Sequence, residues 1–257
     1  MFKKILALTL CLFLFALPVS AEVQTQEIDD VPQHLKNEWN TVKPPQTNIS
    51  MQNVLDEVYS LEEKLPIVKE LDCNIYLVKK SYYSVIWGTD LFGTVENNNI
   101  YIFSSKYINE NGNLEHSVAH EIGHAIKEKY LDYESILEYE MFRDDQKEHK
   151  AAYDAIQELY AEDFRILFGS DTARTPQYRP TYDLPGDKEK YWIINKIFEK
   201  ITWQERLEFY KIYPYLAKAE ITRAKQIEAQ KTANGDYTGA KAAHVWANQI
   251  REVIGDG

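Results

Sequence analysis

The stretch LEHSVAHEIGHAIKEKY, residues Leu114–Tyr130, decides the predicted fold because it contains the motif HExxH at His120–His124. Positions four residues apart share one face of an α-helix, so His120 and His124 can both reach one metal ion. Glu121 lies beside them, where it can act on a water molecule at that ion. A metal-binding helix is therefore predicted, and a chance match to the motif is the alternative. An apolar stripe with helical spacing lies on another face of this helix and consists of Val118, Ile122, Ala125 and Ile126.

A later helical stretch is predicted to supply the third metal ligand. A catalytic zinc usually takes three protein ligands and keeps one position open. Glu158 and Glu162 are four apart on a helix expected to end near Phe168, so they share a face. We predict that Glu158 ligates the metal and that Glu162 accepts a hydrogen bond from a ligating histidine. A solvated acidic helix face is the alternative interpretation of this pair.

Two further histidines are weaker candidates. His116 precedes His120 by four residues, and three histidines at this spacing span about 12 Å along a helix. They cannot all lie about 2 Å from one ion, so we expect His116 on the surface or in a groove. His149 is kept as a minor alternative ligand.

Short strands without βαβ alternation favour an α+β fold, with a small mixed sheet beside helices. We divide the chain into a signal peptide (1–21), an N-terminal helical lead-in (22–73), a catalytic domain (74–200) and a helical C-terminal segment (201–257). The C-terminal helices carry ordinary apolar stripes, which favour packing on the domain over contact with a partner. The strands are expected at Asn74–Val78, Tyr82–Trp87, Leu91–Val95 and Ile100–Phe103.

The first 21 residues have the pattern of a secretory signal. Lys3 and Lys4 precede an apolar run, Ile5–Leu17, and small residues follow up to Ala21. The run is short for a membrane anchor, which is the alternative. We expect cleavage after Ala21 and a secreted protein that is not held in a membrane. Cys73 is then the one remaining cysteine, and we expect it to be a buried structural thiol.

The net charge of −11 argues against two classes of partner. Nucleic-acid-binding proteins usually carry basic patches, and the sequence has no Lys/Arg cluster interleaved with aromatic residues. An anionic membrane surface is disfavoured for the same reason.

The order of the two motifs resembles that of a known peptidase family. His120–His124 followed by ELYAEDFR, Glu158–Arg165, is similar to the catalytic domain of anthrax lethal factor and to the related secreted Pro-Pro endopeptidases of clostridia. In that family an EFFAEAFR-like helix follows the HExxH helix. Phe92–Val95 and Asn99–Ile102 also look like the family's strand region, and the resemblance covers about residues 74–200. It implies a zincin-like metallopeptidase domain with one catalytic zinc, Glu158 as third ligand and Glu162 at the second glutamate position.

The family also has a catalytic tyrosine seven residues before the ligand glutamate. That position is Ala151 in this chain, and the nearest tyrosine is Tyr153, five residues before Glu158. Tyr153 is therefore the predicted catalytic tyrosine, and a packing role is the alternative.

These residues predict a secreted zinc endopeptidase in which zinc activates water and Glu121 is the general base. A protein or peptide substrate would lie extended along an edge strand, which we place at Ile100–Phe103 or in the loop before it. Residues Tyr82–Trp87 and the loop Thr175–Gly186 could line specificity pockets. The alternative is a secreted binding or toxin-component protein that retains a zincin fold without activity.

Overall fold

The computed structural model describes residues 23–42, 50–84, 89–104, 114–143, 153–174 and 184–255. The predicted signal peptide, His149 and Ala151 lie outside these ranges. The described part of the chain combines two β-sheets with eight α-helices, which confirms the predicted α+β class.

The strands, numbered in chain order, form two sheets. They are β1 Gln24–Ile28, β2 Trp39–Val42, β3 Asn74–Val78, β4 Ser81–Ser84, β5 Thr89–Leu91, β6 Gly93–Glu96 and β7 Asn99–Phe103. The larger sheet has the order β1-β3-β7-β6, and the smaller one has the order β2-β4-β5. Strands β1, β3 and β7 run parallel, whereas β6 is antiparallel to β7.

The helices account for most of the remaining described residues. The helix that contains HExxH has the predicted bounds, and it packs between the larger sheet and the glutamate-bearing helix. Two short 3₁₀ helices cover Gln33–Glu38 and Pro66–Glu70. The α-helices are α1 Met51–Lys64, α2 Leu114–Tyr130, α3 Tyr133–Arg143, α4 Tyr153–Phe168, α5 Asp187–Lys200, α6 Trp203–Ile212, α7 Pro214–Ala233 and α8 Tyr237–Ile254.

The N-terminal segment 22–73 is not purely helical, so that part of the prediction is wrong. Gln24–Ile28 forms β1, which pairs in parallel with β3 from Gln24 opposite Asn74 to Ile28 opposite Val78. Most β1 side chains are polar because the strand lies at the edge of its sheet. Its partner is about 50 residues away in sequence, and such a distant pairing leaves no local signal.

The expected edge strand is also corrected. Ile100–Phe103 belongs to β7, which lies between β3 and β6 and is therefore an interior strand. Strand β6, Gly93–Glu96, forms the edge of the larger sheet on this side. The predicted strand Leu91–Val95 is divided at Phe92, so that Leu91 belongs to the smaller sheet and Gly93 begins β6.

One hydrophobic core joins the N-terminal, central and C-terminal parts of the chain. It includes Val54 of α1, Ile122 of α2 and Ile250 of α8, all fully buried. The prediction that the C-terminal helices pack on the rest of the chain is confirmed. Cys73 is 5% exposed, as predicted, and burial raises the pKa of its thiol to about 12.

A buried glutamate in α1 gives a testable pH dependence of stability. Glu57 is 1% exposed, and its Oε1 accepts a hydrogen bond from the backbone N–H of Ser170 at 3.0 Å. Burial raises the pKa of Glu57 from 4.5 to about 7 in the folded chain. The folded state therefore holds a proton that the unfolded state has lost between these pH values, so stability falls as the pH rises. The full effect is about 3 kcal/mol once the buried carboxyl is ionised.

We expect the Glu57→Gln variant to lack this loss of stability. Denaturant unfolding of both proteins at pH 5 and pH 8 measures the effect. Glu63→Gln, an exposed position on the same helix, is the matched control and should follow the native pH dependence. Equal pH dependence in the native protein and the Glu57→Gln variant would contradict the prediction.

Candidate metal centre

Helices α2 and α4 approach each other closely where Gly123 meets Ala161. A Cβ atom on Gly123 would lie 3.1 Å from the Cα of Ala161 and 3.2 Å from the Cβ of Phe164. A larger residue at position 123 would push the two backbones apart. This close crossing lets Glu158 and Glu162 reach His120 on α2.

Three side chains converge at this crossing. Oε2 of Glu158 lies 3.1 Å from Nε2 of His120, and its Oε1 lies 3.3 Å from Nε2 of His124. The two Nε2 atoms lie 3.2 Å apart. Within the described ranges, this is the one group of three or more His, Cys, Asp or Glu residues whose ligand atoms lie close enough to share a metal ion.

The donor set fits a zinc ion. Ligand atoms about 2.1 Å from a tetrahedral zinc lie roughly 3.4 Å from one another, close to the three separations observed. Two imidazoles and one carboxylate also form a known catalytic zinc set. Because two unprotonated ring nitrogens repel each other, the facing Nε2 atoms of His120 and His124 need either a hydrogen or a cation between them.

A second carboxylate, that of Glu162, contacts His120 on the side of the ring away from Glu158. Oε2 of Glu162 lies 3.3 Å from Nδ1 of His120, so the Nε2 atom of this ring is the one that faces Glu158. The guanidinium of Arg165 is fully buried; its Nε donates to Glu162 at 3.0 Å, and it also donates to the carbonyl oxygen of Ala173. The structure thus brings Glu162 to the imidazole of His120, whereas Arg165 had no role in the sequence analysis. The glutamate–arginine pair three residues apart near the end of the helix is the signal that could have found it.

The charged groups shift one another's pKa values. Burial alone would lower the pKa of His120, but its contacts with Glu158 and Glu162 outweigh that effect and raise it to about 10. Burial raises the pKa of Glu162, yet His120 and Arg165 outweigh it and hold the pKa at about 2. Desolvation likewise opposes ionisation of Glu158, although 61% of its side chain is exposed, and the hydrogen bonds with the two imidazoles lower its pKa overall. Glu158 and Glu162 are therefore both ionised at neutral pH.

Glu121 has a different environment from the other two glutamates. Glu121 is only 6% exposed. Burial raises the pKa of its carboxyl group to about 7, and the positive charge of His120 opposes this rise. The carboxyl group lies against Gly93 of the edge strand β6. A carboxylate with a pKa near neutrality can both accept and donate a proton under physiological conditions.

Several other predicted residues are not brought to this group. His116 is no part of the ligand group; its side chain is 13% exposed, which fits the groove position better than the surface position, and its Nε2 lies 4.0 Å from Oε1 of Glu162. Tyr82 is fully buried and donates a hydrogen bond to Asp30, so its predicted role in a specificity pocket is wrong.

Tyr153 is the first residue of α4, and its side chain lies outside the described part of the structure. Residues 85–88 and 175–183, which were predicted to line pockets, also lie outside it.

Removal of the Glu162 charge should weaken metal binding. In Glu162→Gln the side chain keeps an oxygen acceptor for Arg165 but loses the charge that polarises His120. Outer partners of this kind contribute about 10–100-fold to metal affinity, and we expect a loss in that range. Competition with a chromophoric chelator measures the affinity for zinc, and circular dichroism checks the fold. Glu138→Gln, on the surface of α3, is the control, and equal affinities in all three proteins would contradict the prediction.

None of the described helices is both long and apolar enough to cross a membrane. A scan against protein-family models, a search of curated proteins and a search of solved structures each found no match.

Proposed function

We propose that this chain is a secreted zinc endopeptidase of the zincin type, similar to the catalytic domain of lethal factor. The observation that carries the proposal is the convergence of His120, His124 and Glu158, with the carboxyl of Glu121 held beside them. A purely structural zinc site has no need for an adjacent buried carboxyl group such as that of Glu121. The pattern of residues 1–21 supports secretion.

The residues of the chain have distinct tasks in this reaction. Zinc, when bound by the three ligands, would supply Lewis-acid chemistry for hydrolysis. Glu121 takes one proton from the attacking water as its oxygen bonds to the scissile carbonyl carbon. Glu121 then gives this proton to the amide nitrogen as the carbon–nitrogen bond breaks, so the base is regenerated. Glu162 and Arg165 keep the ring of His120 in one orientation.

Strand β6 is the proposed binding edge for an extended substrate. It is the outer strand of its sheet, and Gly93 at its start contacts the Glu121 side chain. The outer backbone groups of an edge strand can pair with a peptide, which gives affinity without requiring a particular sequence. This location replaces the earlier assignment to Ile100–Phe103, which has neighbours on both sides.

Tyr153 remains the candidate for stabilising the oxyanion. It begins the helix that carries Glu158, so it is fixed in the same element as the third ligand. A phenolic hydroxyl donates a hydrogen bond well suited to a developing negative charge.

Cleavage of a mixed peptide library tests the proposed function. The secreted chain is purified, loaded with one equivalent of zinc and incubated with the library, and products are identified by mass spectrometry. We expect cleavage that stops when a chelator removes the metal and returns when zinc is added. If the chain holds stoichiometric zinc and cleaves no peptide, the proposal is overturned in favour of a binding protein with a zincin-type site.

A further inference from the structure

Gly93 lies directly against the side chain of Glu121. A Cβ atom on Gly93 would lie 2.5 Å from Cγ, 2.6 Å from Oε1 and 2.7 Å from Cδ of Glu121. All three distances are shorter than any real contact of a Cβ atom, and all three involve the same side chain. The carboxyl group of Glu121 therefore occupies the space that any other residue at position 93 would fill.

The backbone at Gly93 does not itself require glycine. The described glycines with positive φ are Gly235 and Gly255, so Gly93 has a conformation that other residues adopt. Glycine inside a strand weakens the strand, and a close approach by another group is one recognised reason for its presence. Here that group is the carboxyl of Glu121.

The contact joins two parts of the proposed machinery. Gly93 begins the edge strand β6, whereas Glu121 lies on α2 between the fully buried residues Ala119 and Ile122. Because its neighbours in α2 are packed in the core, the backbone of Glu121 cannot easily move away. The flexible end of the Glu121 side chain is therefore what a substitution at Gly93 would displace.

We propose that Gly93 is a positioning residue for Glu121. Because glycine has no side chain, the carboxyl group of Glu121 can occupy the space beside the strand from which it acts. The inference rests on the proposed function, because it takes Glu121 as the general base. It also makes the edge strand a determinant of where the base is placed. The metal ligands are not part of this contact, so a substitution at Gly93 should separate base positioning from metal binding.

Gly93→Ala is the direct test. We expect kcat to fall by about 100-fold or more, toward the range expected for loss of a general base, with zinc affinity and thermal unfolding little changed. Gly235→Ala, in the turn between α7 and α8, is the control, because a Cβ there would meet no atom within 4 Å. This variant should have native activity, and native activity in Gly93→Ala as well would overturn the proposal.

A double-mutant cycle distinguishes positioning from a general structural role. Glu121→Asp shortens the side chain by one methylene and should relieve part of the clash with Ala at position 93. We therefore expect Glu121→Asp to reduce kcat less in the Gly93→Ala background than in the native background. Independent, additive losses would contradict the proposal.

A crystal structure of Gly93→Ala gives a readout that does not depend on activity. We expect the carboxyl group of Glu121 to be displaced while His120, His124 and Glu158 keep their positions. A carboxyl group that stays in place while the strand shifts would overturn the inference even if peptides are cleaved. If the native protein cleaves no peptide, the proposed function fails, and the crystal structure still decides whether Gly93 positions Glu121.

Discussion

Glu121→Gln is expected to reduce peptide hydrolysis by about 10²–10⁴-fold, because glutamine cannot accept the proton of the attacking water. The amide has nearly the same shape as the carboxyl group, so it fits the buried space beside Gly93. The three proposed ligands are unchanged, so zinc should remain bound. Steady-state kinetics on a cleaved peptide, together with metal analysis of the same samples, measures both quantities.

Glu128→Gln is the matched control for this variant. Glu128 lies on the same helix, but its side chain is 47% exposed and contacts the neighbouring Lys127 at 4.0 Å. Its substitution removes the same charge from α2 without changing the group beside the metal ligands, and we expect native rates. Equal cleavage by the native protein and Glu121→Gln would show that another group is the base or that a contaminating protease is responsible.

Local sequence patterns predicted the helix that carries the site. The bounds of α2, Leu114–Tyr130, follow from a helical apolar stripe whose residues are buried as expected, so local periodicity and tertiary packing agree. The capping box at Thr202 and Glu205 is likewise a short-range signal, and both of its hydrogen bonds are present. The separation of four residues was sufficient to place His120 and His124 on one face.

Features that depend on distant residues could not be predicted in this way. The order of strands in the larger sheet depends on pairing between β1, β3 and β7, and the position of β7 inside the sheet has no local signature. The glycines at 93 and 123 are ordinary residues in the sequence, and their importance depends on which side chain of another element meets them. The contact of Arg165 with the carbonyl oxygen of Ala173 has the same limitation, whereas its pairing with Glu162, three residues away on the same helix, is a local feature.

Substitution of Glu158 is the second change for which we expect a large effect, here on zinc affinity. Its side chain is 61% exposed, which is compatible with the solvated acidic face that the sequence left as an alternative. Its two carboxylate oxygens nevertheless lie 3.1 and 3.3 Å from the two histidine nitrogens. A carboxylate placed between two imidazoles in this way has the arrangement of a ligand rather than of a surface charge.

Glu158→Ala should therefore lower zinc affinity by more than the roughly 10–100-fold that an outer partner contributes. The loss should exceed that of Glu162→Gln measured by the same chelator competition, because Glu162 faces only the far nitrogen of His120. Glu199→Gln, outside the site on α5, is the control for removal of an acidic side chain from a helix. Native zinc affinity in Glu158→Ala would show that the exposed acidic face is the correct interpretation, and the third ligand would then have to come from another residue. A larger loss in Glu162→Gln than in Glu158→Ala would instead exchange the roles of the two glutamates.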